Sequence, residues 1–329
     1  MKCFIIGNGG WGTALGMVLA GNGHQVTIWG PFAEEIEAIR AAGENTVYLP
    51  GVTLPNGIQW TADPAGTEAA DLVVLVVPSR FVRSTLETFK PHLRQNVLIV
   101  SATKGLDEKT GQRISEVAAD VLGRSICILS GPSHAEEVAR GVPTAVTVAG
   151  EHFQSLEKIQ TAFMGDSFRV YTSDDVTGVE LGGTLKNIIA VAAGILDGMG
   201  LGDNSKAALM TRGLAEISRL GAALGAQPET FSGLSGIGDL IVTCASRHSR
   251  NRAVGERLGK GESLQDIMGG MKQVAEGIWN AKAARDLARK LNIDMPITEE
   301  VCAIVENEKD PRQALADLMN REPKAEVRL

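Results

Sequence analysis

The sequence predicts an α/β protein in two parts: a mostly parallel, helix-covered sheet over residues 1–172 and an all-α domain over 173–329. Three observations carry this expectation. The length of 329 residues exceeds one ordinary core of roughly 150 residues and suits two. The first half alternates short β-branched apolar runs with amphipathic stretches, the rhythm of βαβ units. After about Ser173 those runs give way to apolar residues at helical spacing.

Residues 3–6, 25–29, 72–77, 97–100, 126–129 and 145–148 read as strands, because continuous apolar runs suit strands buried on both faces. A helix-compatible stretch, 13–20, lies between the first two. The segment 43–59, with Pro50, Gly51, Pro55 and Gly57, reads as a long loop. In the second half Val179, Leu185, Ile188, Ile189, Ala192 and Ile195 are spaced for the buried faces of a first helix. Further helices are expected over 206–224, 252–258, 281–291 and 299–307, with a glycine-rich loop at 232–239 and a polar, frayed end at 321–329.

With 44% hydrophobic and 22% charged residues the composition is that of a globular protein, and a net charge of -7 disfavours a nucleic-acid partner. Cys3, Cys127, Cys244 and Cys302 form no C-x-x-C pair, so neither a zinc site nor a redox motif is expected, and reduced thiols in a cytoplasm fit best. No metal is expected either from His24, His92, His134, His152 and His248, which lack ligand spacing. The apolar run near the start stops at Gly7, too short for a signal peptide. No later segment reads as approaching the roughly 20 apolar residues of a membrane span.

Gly7-Asn8-Gly9-Gly10-Trp11-Gly12 matches G-x-G-x-x-G between a strand and a helix, the context of a Rossmann-type dinucleotide site. Gly7 would permit the tight turn, Gly9 the approach of a pyrophosphate and Gly12 close packing of helix on strand, while the helix N-terminus offers N–H groups to phosphates. A glycine-rich turn without a ligand is the alternative. The second strand ends in Trp29-Gly30-Pro31-Phe32, with neither the acid that would accept from a ribose 2'-hydroxyl nor an arginine for a 2'-phosphate. Glu34 and Glu35 follow late and Arg40 later still, so NAD and NADP both stay open.

Other polar residues close apolar elements, where α/β sheets bind ligands. Ser79 follows Pro78, Lys104 lies just past a strand, and Ser130-Gly131-Pro132-Ser133 ends another. Plain turns would explain each. Lys186 borders a stretch with no other charge until Asp197; it either snorkels or is buried with a partner, and burial would lower its pKa into the range of proton transfer. Asp239, in Gly236-Ile237-Gly238-Asp239, either orients a lysine or caps a helix. Arg247, Arg250 and Arg252 concentrate charge at a helix start, suited to a phosphate or simply solvated.

Together these residues resemble the NAD(P)-dependent glycerol-3-phosphate dehydrogenase family of bacterial type. The resemblance runs through 7–14, 45–51, Val77-Pro78-Ser79, 102–105, 130–133, 180–187, 236–240, Ser249-Arg250-Asn251 and Glu276-Gly277. It implies a Rossmann domain, a helical domain and a cleft between them in which hydride passes reversibly between C2 of glycerol 3-phosphate and a nicotinamide, usually to supply phospholipid synthesis. Lys186 is implied as general acid/base, with Lys104, Asp239 and Asn187 around the reacting oxygen. Substrate contacts are implied for Lys104, Gly131, Ser133, Lys186, Asp239, Ser249, Arg250 and Asn251, and cofactor contacts for Gly10, Trp11, Lys104, Ala135, Arg250, Val274 and Glu276, alongside Gly7, Gly9 and Gly12. Pro31 departs from the basic or polar residue of many relatives. The expected partners are NAD(P)H, a small phosphorylated molecule and a second copy in a homodimer, without nucleic acid or membrane insertion. The rivals are a Rossmann dehydrogenase for a non-phosphorylated hydroxy acid or sugar acid, and a dinucleotide-sensing regulator.

Overall fold

A computed structural model describes residues 1–270, 275–323, 325 and 326. Its sheet has eight strands, β1 (Lys2–Ile6), β2 (Gln25–Trp29), β3 (Gln59–Thr61), β4 (Leu72–Leu75), β5 (Leu98–Ser101), β6 (Cys127–Ser130), β7 (Thr144–Ala149) and β8 (Phe168–Ser173). They stand in the order β3-β2-β1-β4-β5-β6-β7-β8. Every pair is parallel except β6 with β7. The chain reverses direction across the sheet between β1 and β4, opening the crevice where such sheets take ligands.

Helices α1 (Gly10–Gly21), α2 (Ala33–Ala42), α3 (Val82–Phe89), α4 (Ile114–Leu122), α5 (Ala135–Val138) and α6 (Phe153–Phe163) accompany the sheet. One apolar cluster joins Ile5, Leu15, Leu19, Ile28 and Val74, and another joins Phe4, Ile6, Val73, Leu86 and Phe89. Alternate residues of β1 and β4 fall into the two clusters, so both faces are covered, as their unbroken apolar runs require.

The helical part comprises α7 (Val176–Gly198), α8 (Asp203–Ala223), α9 (Pro228–Phe231), α10 (Asp239–Ala245), α11 (Arg250–Gly259), α12 (Leu264–Gly269), α13 (Glu276–Lys290), α14 (Pro296–Asn307) and α15 (Pro311–Met319). Helix α7 is its axis, buried without interruption from Gly178 to Leu196. This corrects the reading that no segment approaches a membrane span. By length and composition α7 does, with a mean hydropathy of 1.4, but its apolar window is wholly buried in protein. Its glycines admit neighbours at backbone distance: a Cβ on Gly194 would lie 2.0 Å from the Arg252 carbonyl oxygen of α11.

Two expectations are corrected by the sheet edges. The loop expected over 43–59 gives way to β3 at Gln59, and β8 was not foreseen. In β8 Phe168 and Val170 are buried while Arg169 and Tyr171 are exposed, so this edge strand alternates instead of showing the continuous run of a central one.

Candidate active site

The glycine loop leaves β1 and enters α1. Gly7 has φ +130°, and its N–H donates to the Trp29 carbonyl at 3.0 Å. A Cβ there would lie 2.6 Å from the Val76 carbonyl oxygen, and one on Gly12 would lie 2.0 Å from that of Gly7. Only glycine lets strand, loop and helix meet this closely. At Gly9, by contrast, a Cβ would meet nothing within 4 Å. Gly9 is the N-cap of α1 and supplies no side-chain cap, which leaves open space facing helical N–H groups. That arrangement fits a dinucleotide pyrophosphate.

The segment after α2 packs on this loop. Asn45, buried, donates through Nδ2 to the Asn8 carbonyl and to Thr13 Oγ1, both at 2.8 Å. A Cβ on Gly10 would lie 2.5 Å from the Tyr48 carbonyl oxygen and 3.6 Å from Ala135 Cβ at the start of α5. Trp11 Nε1 is buried and has no hydrogen-bond partner among the described residues.

Across the sheet, Lys104 follows β5. Its Nζ donates to the Gly131 carbonyl at 2.8 Å, to Ser133 Oγ at 3.4 Å and to Asp239 Oδ2 at 2.8 Å. The other oxygen of Asp239 accepts from Lys186, which also donates to Thr243 Oγ1 at 2.7 Å. Asp239 is 0% exposed and Lys186 5%. Lys186 therefore does not snorkel, and Asp239 does not cap α10, whose N-cap is Gly238. One carboxylate holds two ammonium groups, one from each half of the chain. Burial pushes Lys186 from its ordinary value near 10.5 down to about 7; the Asp239 charge opposes this and the Lys104 charge adds to it.

A second chain of polar contacts borders the first. Asn251 Nδ2 donates to Asn187 Oδ1 at 2.9 Å, while its own Oδ1 accepts from the Gly277 N–H at 2.9 Å. The neighbouring carboxylate, Glu276, accepts from the Ser79 N–H at 3.0 Å and from Ser79 Oγ at 2.7 Å. This ties the start of α13 to the turn that follows β4, and burial of the carboxylate raises the Glu276 pKa. Ser249 is the N-cap of α11, its Oγ accepting from the Arg252 N–H at 3.2 Å. Arg250 is exposed and feels the charges of Glu136 and Glu276. Arg252 points away and pairs with Asp197 at 2.6 Å. Val274 lies outside the described residues, as do Lys324 and residues 327–329 of the expected frayed end.

Against family models, residues 2–155 match the NAD-dependent glycerol-3-phosphate dehydrogenase N-terminus and residues 175–316 its C-terminus. The chain belongs to this dehydrogenase family. It is similar to glycerol-3-phosphate dehydrogenase [NAD(P)+] of Enterococcus faecalis, 49% identical over 99% of this chain and 97% of that one. The Moorella thermoacetica protein of the same name is 51% identical over 98% and 97%. The crystal structure of glycerol-3-phosphate dehydrogenase from Coxiella burnetii superposes with a TM-score of 0.94 at 39% identity, over 97% of this chain and 99% of that one.

Sequence reasoning missed two participants in this dehydrogenase fold, Thr243 and His134, and one pairing between residues it did name. Thr243 touches Lys186 from one turn beyond Asp239, on a seven-residue helix too short to show a period of its own. Burial lowers the pKa of His134, the nearby charges of Lys186 and Lys104 add to this, and its ring meets that of His248 at 5.9 Å. Ser79 was singled out, but its partner Glu276 is 197 residues away, and no local pattern announces so distant a contact.

Proposed function

We propose that this chain is an NAD(P)-dependent sn-glycerol-3-phosphate dehydrogenase that reduces dihydroxyacetone phosphate reversibly at C2, supplying the backbone of glycerophospholipids. The observation that carries the chemistry is the buried Lys186 held by Asp239 beside Lys104. The glycine loop would hold the pyrophosphate of a nicotinamide dinucleotide, which would supply or take up the hydride. Lys186 gives its proton to the oxygen on C2 during reduction and recovers it during oxidation; a group titrating near 7 can do both. Lys104 adds positive charge where negative charge develops on that oxygen. Asp239 holds both ammonium groups in place, and Asn187 is fixed by Asn251 beside them.

The helix start at Ser249, Arg250 and Asn251 is suited to the substrate phosphate, whose binding orients C2 without a metal. Gly131 and Ser133 complete the substrate side, while Gly7, Gly9, Gly10, Trp11, Gly12, Ala135, Arg250 and Glu276 serve the cofactor. Residues 1–172 and 173–329 form the working division, with the reaction between them in a reduced, cytoplasmic setting. The test follows NADH and NADPH absorbance with dihydroxyacetone phosphate. Wild type oxidises the cofactor and Lys186→Ala loses about a hundredfold or more in kcat, whereas Arg250→Ala chiefly raises KM. Failure of wild type with both cofactors refutes the reading.

A further inference from the structure

The end of β2 lacks the acidic residue that commonly receives an adenosine ribose, yet the fold brings a carboxylate there from elsewhere. Glu35, in the first turn of α2, accepts from Asn8 Nδ2 at 3.0 Å through Oε2 and from the Tyr48 hydroxyl at 3.4 Å through Oε1. Asn8 belongs to the glycine loop, and its side chain lies over the end of β2: a Cβ on Gly30 would come within 2.6 Å of Asn8 Cγ. Glu35, Asn8 and Gly30 are thus contiguous at the carboxyl end of β2, where the ribose of a Rossmann-bound dinucleotide sits. A carboxylate has about four acceptor sites. Asn8 and Tyr48 use two, which leaves capacity for a ribose hydroxyl.

No cation competes for this corner from the following chain. Residues 30–39 contain neither lysine nor arginine. Arg40 is turned across the sheet, bound to Glu37 and to the Trp60 carbonyl. A 2'-phosphate placed here would meet negative charge with no guanidinium or ammonium from this stretch to pair with.

Building on the dehydrogenase reading, we propose that Glu35 sets the cofactor preference, accepting a hydrogen bond from the ribose 2'-hydroxyl of NAD(H) and repelling the 2'-phosphate of NADP(H). Asn8 and Tyr48 position the carboxylate. The late position of Glu35 in sequence is offset by the two residues that draw it back onto the loop.

Calorimetric titration of the whole chain with NADH and with NADPH, without substrate, tests this independently of turnover. Wild type binds NADH about tenfold or more tightly than NADPH, the scale of one hydrogen bond to a charged group. Glu35→Gln, which keeps the shape and removes the charge, shrinks that ratio about tenfold. Pro31→Arg, at an exposed position that leaves the bonds of Glu35 in place, raises NADPH affinity by about the same factor. Equal loss of both affinities in Glu35→Gln would mean that the carboxylate only braces Asn8, and would overturn the proposal while leaving the dehydrogenase reading intact. So would a wild-type preference for NADPH, or a Pro31→Arg variant with no gain. If wild type binds neither dinucleotide, both readings fall.

Discussion

Replacing Asp239 with asparagine keeps its volume and removes the charge between two lysines. At the 2.8 Å spacing of Lys104 and Asp239, opposite unit charges attract by about 6 kcal/mol at an effective dielectric of about 20. Even a quarter of such an attraction, about 1.5 kcal/mol, changes proton affinity by about one pH unit. Lys186 titrates near 7 with Asp239 working against its depression, so the variant titrates about one to two units lower. At pH 7 the ammonium fraction then falls from about a half to between about a tenth and a hundredth, and ketone reduction slows by about five- to fiftyfold. The sign reverses for alcohol oxidation, in which neutral Lys186 accepts the proton: its wild-type rate climbs as pH rises through about 7, and the variant reaches its plateau at lower pH. Initial rates in both directions from pH 5 to 9 read this. A reduction profile that keeps its midpoint, whatever its height, would refute the electrostatic role of Asp239.

Two further substitutions probe the scaffold. Gly12→Ala puts a methyl group 2.0 Å from the Gly7 carbonyl oxygen, so the loop must move; NADH binding is lost and stability falls by about 1–3 kcal/mol in urea titration. A near-wild-type affinity would show that the loop tolerates displacement. Ser79→Ala deprives the half-buried Glu276 of its 2.7 Å donor and costs about 1 kcal/mol, read as a lower denaturant midpoint; an unchanged midpoint would count against Ser79 as the anchor of that carboxylate.

How far the molecule could be read in advance follows from where each part gets its order. The inner strands were legible because burial on both faces leaves an unbroken apolar run, as in β1 and β4. β3 was hidden by its three-residue length and β8 by its alternation, both at sheet edges. In the helical half the long helices showed their spacing, whereas α10 and α12, of seven and six residues, offer too few turns for a period. The glycine loop was legible because its chemistry is local. The lysine pair was not: Asp239 meets Lys104 across 135 positions and Lys186 across 53, so local pattern gave each residue two readings and only the resemblance chose between them. For Glu35 the sequence shows only a late position along the chain, not its closeness in space to Asn8, and so leaves the cofactor choice open.

Helix α7 carries a consequence for how the chain is made. Its helical packing partners α8, α10, α11 and α13 all follow it in sequence, and only the sheet side, at β6 and β7, precedes it, so the ribosome releases a 23-residue apolar segment before most of what covers it exists. Such a segment resembles cargo for the membrane-insertion machinery. Glu180 and Lys186 interrupt it, and a charge near the centre of an inserting helix costs about 2.5–3.5 kcal/mol. The lysine assigned to proton transfer thus also marks the nascent helix as unsuited to a bilayer. An insertion assay on residues 176–198 reads this second duty directly: Lys186→Leu should insert more readily than the native segment, and equal insertion would dismiss it.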